Sequence, residues 1–198
     1  CALPIWGGEG TIDRLRAIGG EQGFEVVAVP LLADDGEAPA RISSTRIRTA
    51  LAAGQMDQVA ALLGRPYAIR GPVLPGEQRG RLLGFPTLNV GVSADRALPP
   101  NGVYVTRALV DDRTYQAVTN IGTRPTFDGR TTTVETHLLD FEGDLYGQVV
   151  TIELLHHLRA EQRFDGVVAL TAQIERDVAA ARAWFRPSRR WAWKISAS

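Results

Sequence analysis

The sequence predicts a mainly β protein: a six-stranded, closed, Greek-key-like barrel with a C-terminal helix, preceded by a partial α/β fragment. Three observations carry this. From Tyr67 onward, short runs of strand-forming residues alternate with Gly- and Pro-rich loops. "GVYVTRALV" and "TYQAVTNIG" flank Asp111-Asp112-Arg113, a hairpin signal. After the last strand comes one helical apolar stripe, Leu170, Ile174, Val178, Ala181 and Phe185.

In chain order, Thr11 is suited to cap a short helix with Ile12, Leu15 and Ile18 on one face, stopped by Gly19-Gly20. "FEVVAV", 24–29, reads as a short buried strand, and "ADDGEAPA", 33–40, as a loop. "SSTRIRTALAAG" and "QMDQVAALLG" read as two helices broken at Gly54, with Ser43 or Ser44 as N-cap and Gly64 and Pro66 as the stop. A lone strand cannot form a sheet, so residues 7–63 read as the end of a domain whose beginning is absent. The barrel strands are predicted at 67–73, 86–90, 103–110, 114–121, 132–139 and 148–156. The last helix is predicted at 166–185, with Arg182 and Arg186 suited to its C-terminal dipole and Pro187 ending it. This divides the chain into 7–63, a barrel domain at 64–186 and a tail at 187–198. "CALPIW", 1–6, suits neither a helix nor the segment after it and reads as a fragment edge or foreign sequence.

Hydrophobic residues make up 44% of the 198-residue chain and charged residues 22%, as in globular proteins. The formal net charge is zero, so nothing pulls the whole molecule toward nucleic acid or anionic membrane. Lys194 is the single lysine, which excludes any mechanism needing a lysine before the tail. One cysteine, Cys1, allows no intrachain disulfide. No apolar run approaches about 18 residues and no signal peptide is evident, so a cytoplasmic protein is expected.

The chain has no Walker-type phosphate loop, no G-x-S-x-G elbow and no H-E-x-x-H. His137, His156 and His157 show no metal-ligand spacing with cysteine and read as structural. "LLGFPTLNV", 82–90, is the more informative stretch. Thr87 and Asn89 are two apart in a strand and share a face. Two readings fit them: oxygen ligands for a hard cation that takes its other ligands from phosphate and water, or a polar ladder satisfied inside the barrel. Upstream, "GPVLPGEQRGRLLGFP" carries Gly71, Gly76, Gly80 and Gly84, with Arg79 and Arg81. Glycines let backbone N–H groups approach phosphate closely, but they also serve turns. In "TTTVETHLLD", Glu135 and His137 share a strand face. Glu135 reads either as a general base for phosphoryl transfer or as a solvent-facing carboxylate.

Together, "LLGRPYAIRGPVLPGEQRGRLLGFPTLNV", "LPPNGVYV", "NIGTRPTF", "VETHLLDFEGDLYG" and "LRAEQRF" resemble, in family order, the riboflavin kinase domain of bacterial bifunctional riboflavin kinase/FMN adenylyltransferase (FAD synthetase). The resemblance covers about residues 62–185. It implies that the chain is an enzyme moving the γ-phosphoryl of ATP to the 5′-hydroxyl of riboflavin to give FMN and ADP. Thr87 and Asn89, in Pro86-Thr87-Leu88-Asn89, would hold Mg2+ and the ATP phosphates, with Gly80, Arg81 and Gly84 beside them. Glu135 would be the catalytic base. Leu88 replaces the family's alanine, and its side chain is expected to point away from Thr87 and Asn89. Arg124, Arg159 and Phe164 are candidate flavin contacts.

The segment "DDGEAPARISSTRIRTALAAGQMDQVAALLGRPY" also resembles the end of the family's adenylyltransferase module, which makes the N-terminal fragment nucleotidyltransferase-like. Ser43, Ser44, Thr45 and Arg48 are its candidate phosphate contacts, simple helix capping being the alternative. No histidine precedes His137, so FMN adenylyl transfer (FAD synthesis) is expected of a longer protein and not of this chain. A non-catalytic, flavin-binding regulatory barrel is the alternative function. An oligonucleotide-binding barrel is disfavoured by neutral charge and few strand aromatics, so neither nucleic acid nor membrane is an expected partner. The sequence leaves the oligomeric state open.

Overall fold

The computed structural model describes residues 11–29, 32–33, 40–76, 79–126 and 129–186. The expectations for residues 1–6 and 187–198 lie outside these. The chain divides by contact into two compact units, at Ile42/Ser43.

In the first unit, α1 (Ile12–Gln22) begins at Thr11, whose side chain accepts the Arg14 N–H. The helix does not stop at Gly19-Gly20. It runs on to Gly23, whose φ of 78° supplies the left-handed stop. Residues 24–29 are not a buried strand. They pair with no strand among the described residues, and Phe24, Val27 and Val29 are exposed. A strand exists only through its neighbours, and composition alone cannot provide them. Ala33 and Arg41 form an isolated bridge.

The second unit opens with α2 (Ser44–Ala52), capped by the Ser43 side chain, and α3 (Met56–Leu63), which ends at Gly64 in the left-handed region. Ala50, Leu51, Met56, Val59 and Leu62 are buried, and α3 packs on the barrel at its first and last strands. The sequence reading drew the domain line at 63/64, whereas contacts group α2 and α3 with the barrel.

The barrel comprises β1 (Tyr67–Leu74), β2 (Leu88–Val90), β3 (Gly102–Val110), β4 (Arg113–Thr126), β5 (Gly129–Leu138) and β6 (Val149–Ala160), in the order β1-β2-β5-β4-β3-β6, closed and antiparallel throughout. The β3–β4 hairpin turns at Asp111-Asp112, where the sequence predicted it. A four-residue helix, α4 (Arg79–Leu82), which the sequence reading did not foresee, fills the β1–β2 connection. Gly71 belongs to β1 and not to that loop. A Cβ there would stand 1.8 Å from the Gly91 carbonyl oxygen, so two backbones meet in van der Waals contact.

Alternation sorts the strands. Tyr104, Ala108, Ala117, Ile121, Val134, Val150 and Ile152 fill the interior. Thr106, Thr119 and Thr136 are fully buried and joined in a hydroxyl ladder of 2.8 and 2.9 Å. The satisfied polar ladder considered for Thr87 and Asn89 therefore exists, but in these three threonines.

The chain ends in α5 (Val167–Phe185), which packs on β3, β4 and β6. Its buried residues are Ala181, from the predicted stripe, and Asp177. Asp177 lies three positions from Ile174 and four from Ala181, on the apolar face. It is tolerated there because Arg159 donates to its carboxylate from Nε and Nη2 at 2.7–3.0 Å.

Candidate active site

Strand alternation aims Asn89 outward. Leu88 lies opposite Thr136 and Val90 opposite Val73, both inward positions, so Asn89 takes the other face; Thr87, expected inside a strand at 86–90, precedes β2 and lines a cavity together with Glu135. Leu88 thus points away from its neighbours, as expected. The glycine connection covers the pair. A Cβ on Gly76 would lie 1.9 Å from Asn89 Nδ2, so only glycine lets the backbone rest on that carboxamide. A Cβ on Gly80 would lie 2.4 Å from the Phe85 carbonyl oxygen and 3.4 Å from Thr87 Oγ1. The Gly80 carbonyl also accepts the Leu83 and Phe85 N–H groups, closing the turn that delivers Thr87. Neither the Thr87 hydroxyl nor the Asn89 carboxamide makes a hydrogen bond among the described residues.

Register extends the site sideways. Asn89 is opposite Glu135, Glu135 opposite Asn120, Asn120 opposite Val103, and Val103 opposite Arg159. One row therefore crosses five strands on the outer wall and ends at the ion pair that ties down α5. Within it, Arg124 donates from Nη2 to Glu135 Oε1 at 2.5 Å. Phe164 lies under the Arg159 guanidinium, 5.8 Å from it. His137, on the Glu135 face, has Nδ1 2.8 Å from the Pro86 carbonyl oxygen and its ring edge-on to Phe85. These contacts fix the orientation of its ring.

Two cavities meet here. One, of about 460 Å³, is lined by Arg81, Thr87, Phe141, Leu145 and Tyr146 among others. The other, of about 300 Å³, lies between the outer wall and α5. Gly80, Thr87, Arg124, Glu135, Arg159 and Phe164 line it. Thr87 lines both. Most of the expected site residues thus converge on one place. Asn89 lines neither cavity, because it lies beneath Gly76, and Gly84 sits in the exposed turn with φ 82°. The Arg79 side chain lies outside the described residues. Ser43 caps α2, Ser44 opens it, and the Thr45 carbonyl accepts the Thr49 hydroxyl, while Arg48 is exposed.

The sequence reading did not single out Asn120, Asp177, Phe141 or Tyr146. Asn120 had a signal, since it stands in the quoted "NIGTRPTF". Asp177 had one too, as a carboxylate on an apolar stripe.

These features define a small-barrel protein with two neighbouring cavities that share Thr87 in their walls. The chain belongs to the riboflavin kinase family, whose profile (Flavokinase: Riboflavin kinase) matches residues 63–185. Among its relatives is a bifunctional riboflavin kinase/FMN adenylyltransferase from Pseudomonas fluorescens, 45% identical over 181 residues, 90% of this chain and 57% of that protein. The Bacillus subtilis protein of the same name is 43% identical over 73% of this chain and 47% of its own length. The Escherichia coli K12 protein is 41% identical over 90% and 56%. The chain spans about half the length of these curated relatives. A crystal structure named as a macrolide-efflux protein from Streptococcus pneumoniae superposes with a TM-score of 0.77 at 34% identity, over 89% of this chain and 56% of that one. No helix among the described residues is long and apolar enough to cross a membrane.

Proposed function

We propose that this chain is a riboflavin kinase, transferring the γ-phosphoryl of ATP to the 5′-hydroxyl of riboflavin to give FMN and ADP. The observation that carries the reading is Thr87, which lines both cavities while Glu135 lines only the one beneath α5. That cavity suits a flat ring: Leu170, Ile174 and Val178 face Val103 and Val118 across it. The larger cavity offers Phe141 and Tyr146 to a nucleobase and Arg81 to phosphates. The Thr87 hydroxyl and the Asn89 amide oxygen suit magnesium, a hard cation that takes few protein oxygens and fills its shell from phosphate and water. That carboxamide, covered by Gly76 and without a hydrogen bond among the described residues, is the feature that fits. When bound, magnesium neutralises charge on the transferring phosphoryl group.

The protein's own part is to orient the groups and accept the proton. Glu135, held side-on by Arg124, takes the proton of the 5′-hydroxyl as its oxygen attacks the γ-phosphorus and the bond to ADP breaks. Arg124, Arg159 and Phe164 border the flavin, with Arg159 oriented by Asp177. Gly80 and Gly84 shape the loop over the phosphates.

In the same reading, residues 64–186 carry the kinase activity, and the segment 7–63, whose α2 and α3 group with the barrel, corresponds to the end of an adenylyltransferase module, with Ser43, Ser44, Thr45 and Arg48 at its phosphate-facing helix start. The protein is cytoplasmic. The test is chromatography of riboflavin, ATP and magnesium incubated with purified chain, beside a parallel incubation of FMN with ATP. Magnesium-dependent FMN without FAD is expected. Folded protein that quenches flavin fluorescence but forms no FMN would overturn the kinase reading in favour of a binding barrel.

A further inference from the structure

Asn120 is not used by the proposed chemistry, yet it occupies the centre of the outer row. It is flanked by Glu135 on β5 and Val103 on β3, and it lines the cavity beneath α5. Its side chain is half-buried and makes no hydrogen bond among the described residues. A carboxamide in that position carries a desolvation cost unless something supplies its partners. Its neighbours do not. Glu135 is taken by Arg124, Val118 and Val103 are apolar, and the Glu161 carboxylate, which stands beside Gly122 and Asn120 and lines the same cavity, accepts from Asn101 and makes no hydrogen bond with Asn120 among the described residues.

We infer that Asn120 recognises the polyol chain of the acceptor. This rests on the kinase reading. Adjacent strands lie about 4.8 Å apart, so the row orders the chemistry in steps: phosphate-side oxygens on β2, the base on β5, Asn120 on β4, then Val103 and the apolar wall of α5. An acceptor with its terminal hydroxyl at Glu135 and its ring against α5 must lay the connecting chain over Asn120. The carboxamide offers both a donor and an acceptor, the match for secondary hydroxyls that each donate and accept. Asn120 thereby selects a polyol-bearing ring over the bare ring and sets the reach between ring and base.

The test compares fluorescence quenching by riboflavin and by lumiflavin, the same ring without the polyol, for the wild type, Asn120→Ala and Val118→Ala, beside FMN formation. Asn120→Ala is expected to weaken riboflavin binding about tenfold, the effect of one or two lost hydrogen bonds. Lumiflavin binding and the KM for ATP stay within twofold. Val118→Ala, which trims the apolar wall, weakens both flavins together. Equal loss of both flavins in Asn120→Ala would make its role structural and overturn the inference, and so would unchanged riboflavin affinity. If the wild type makes no FMN but the two flavins still separate at Asn120, the kinase reading fails and polyol recognition stands.

Discussion

Glu135 and Asn89 face each other across one ladder position, and their substitutions separate two roles. Glu135→Gln keeps the shape and removes the proton acceptor. Turnover is expected to fall about 10²–10⁴-fold, with nucleotide affinity nearly unchanged. Steady-state kinetics beside ATP binding checks this, and unchanged turnover would remove Glu135 as base. Asn89→Ala empties the cradle beneath Gly76. It is expected to raise the magnesium concentration needed for half-maximal rate by about tenfold, the effect of one weakened ligand. A magnesium titration with the wild-type midpoint would contradict the ligand role. Both residues were candidates in the sequence: period-2 alternation, a local property, paired each with a neighbour on its face, and the family resemblance carried the choice between a functional and a structural role. Their covering was not, since Gly76 meets Asn89 only after the β1–β2 connection folds back.

At the scale of the element, α5 is held to the outer wall by a buried ion pair. The Arg159 side chain is 18% exposed and that of Asp177 6%, and Gln173 adds a hydrogen bond to the same carboxylate. Removing one member leaves a charge stranded, so Asp177→Ala is expected to cost about 3–5 kcal/mol of stability. Replacing both, Arg159→Met with Asp177→Leu, is expected to restore most of that loss while still altering flavin affinity. Urea unfolding of the three proteins checks it, and a single-variant loss below about 1 kcal/mol would mark the pair as solvated. A second tie, from Arg182 to Asp140 beyond β5, lies in the open and is screened. The apolar stripe of α5 announced a packed helix. It did not announce that one of its best-buried residues is an aspartate, because the arginine that permits this lies 18 positions away on β6.

For the whole molecule, the barrel interior sets the response to alkali. Tyr104 is fully buried and donates to the Pro100 carbonyl oxygen at 2.5 Å. Burial pushes its hydroxyl up to about 12. A group whose pKa is raised on folding contributes stability that is complete below its unfolded value, about 10 for tyrosine, and lost as pH rises through the folded one. Unfolding midpoints are therefore expected to fall between about pH 10 and 12 in the wild type. Tyr104→Phe is expected to be somewhat less stable at pH 8 but flatter across that window. Parallel slopes for the two proteins would assign the alkaline loss to other groups.

The sequence by itself determined the strand count, the hairpin at Asp111-Asp112, the C-terminal helix, and which polar residues share a face, Thr87 with Asn89 and Glu135 with His137. All of these come from turn chemistry and side-chain periodicity along a few residues. Its motifs also named the family. Tertiary structure alone decided that 24–29 is not a strand, since a strand needs a partner that local pattern cannot supply. It likewise decided that the buried polar ladder runs through Thr106, Thr119 and Thr136, that Asp177 is buried, and that Asn89, Glu135, Asn120, Val103 and Arg159 form one row. Each of these depends on which strands become neighbours when the barrel closes in the order β1-β2-β5-β4-β3-β6. That register links residues far apart in the chain, and no local period encodes it.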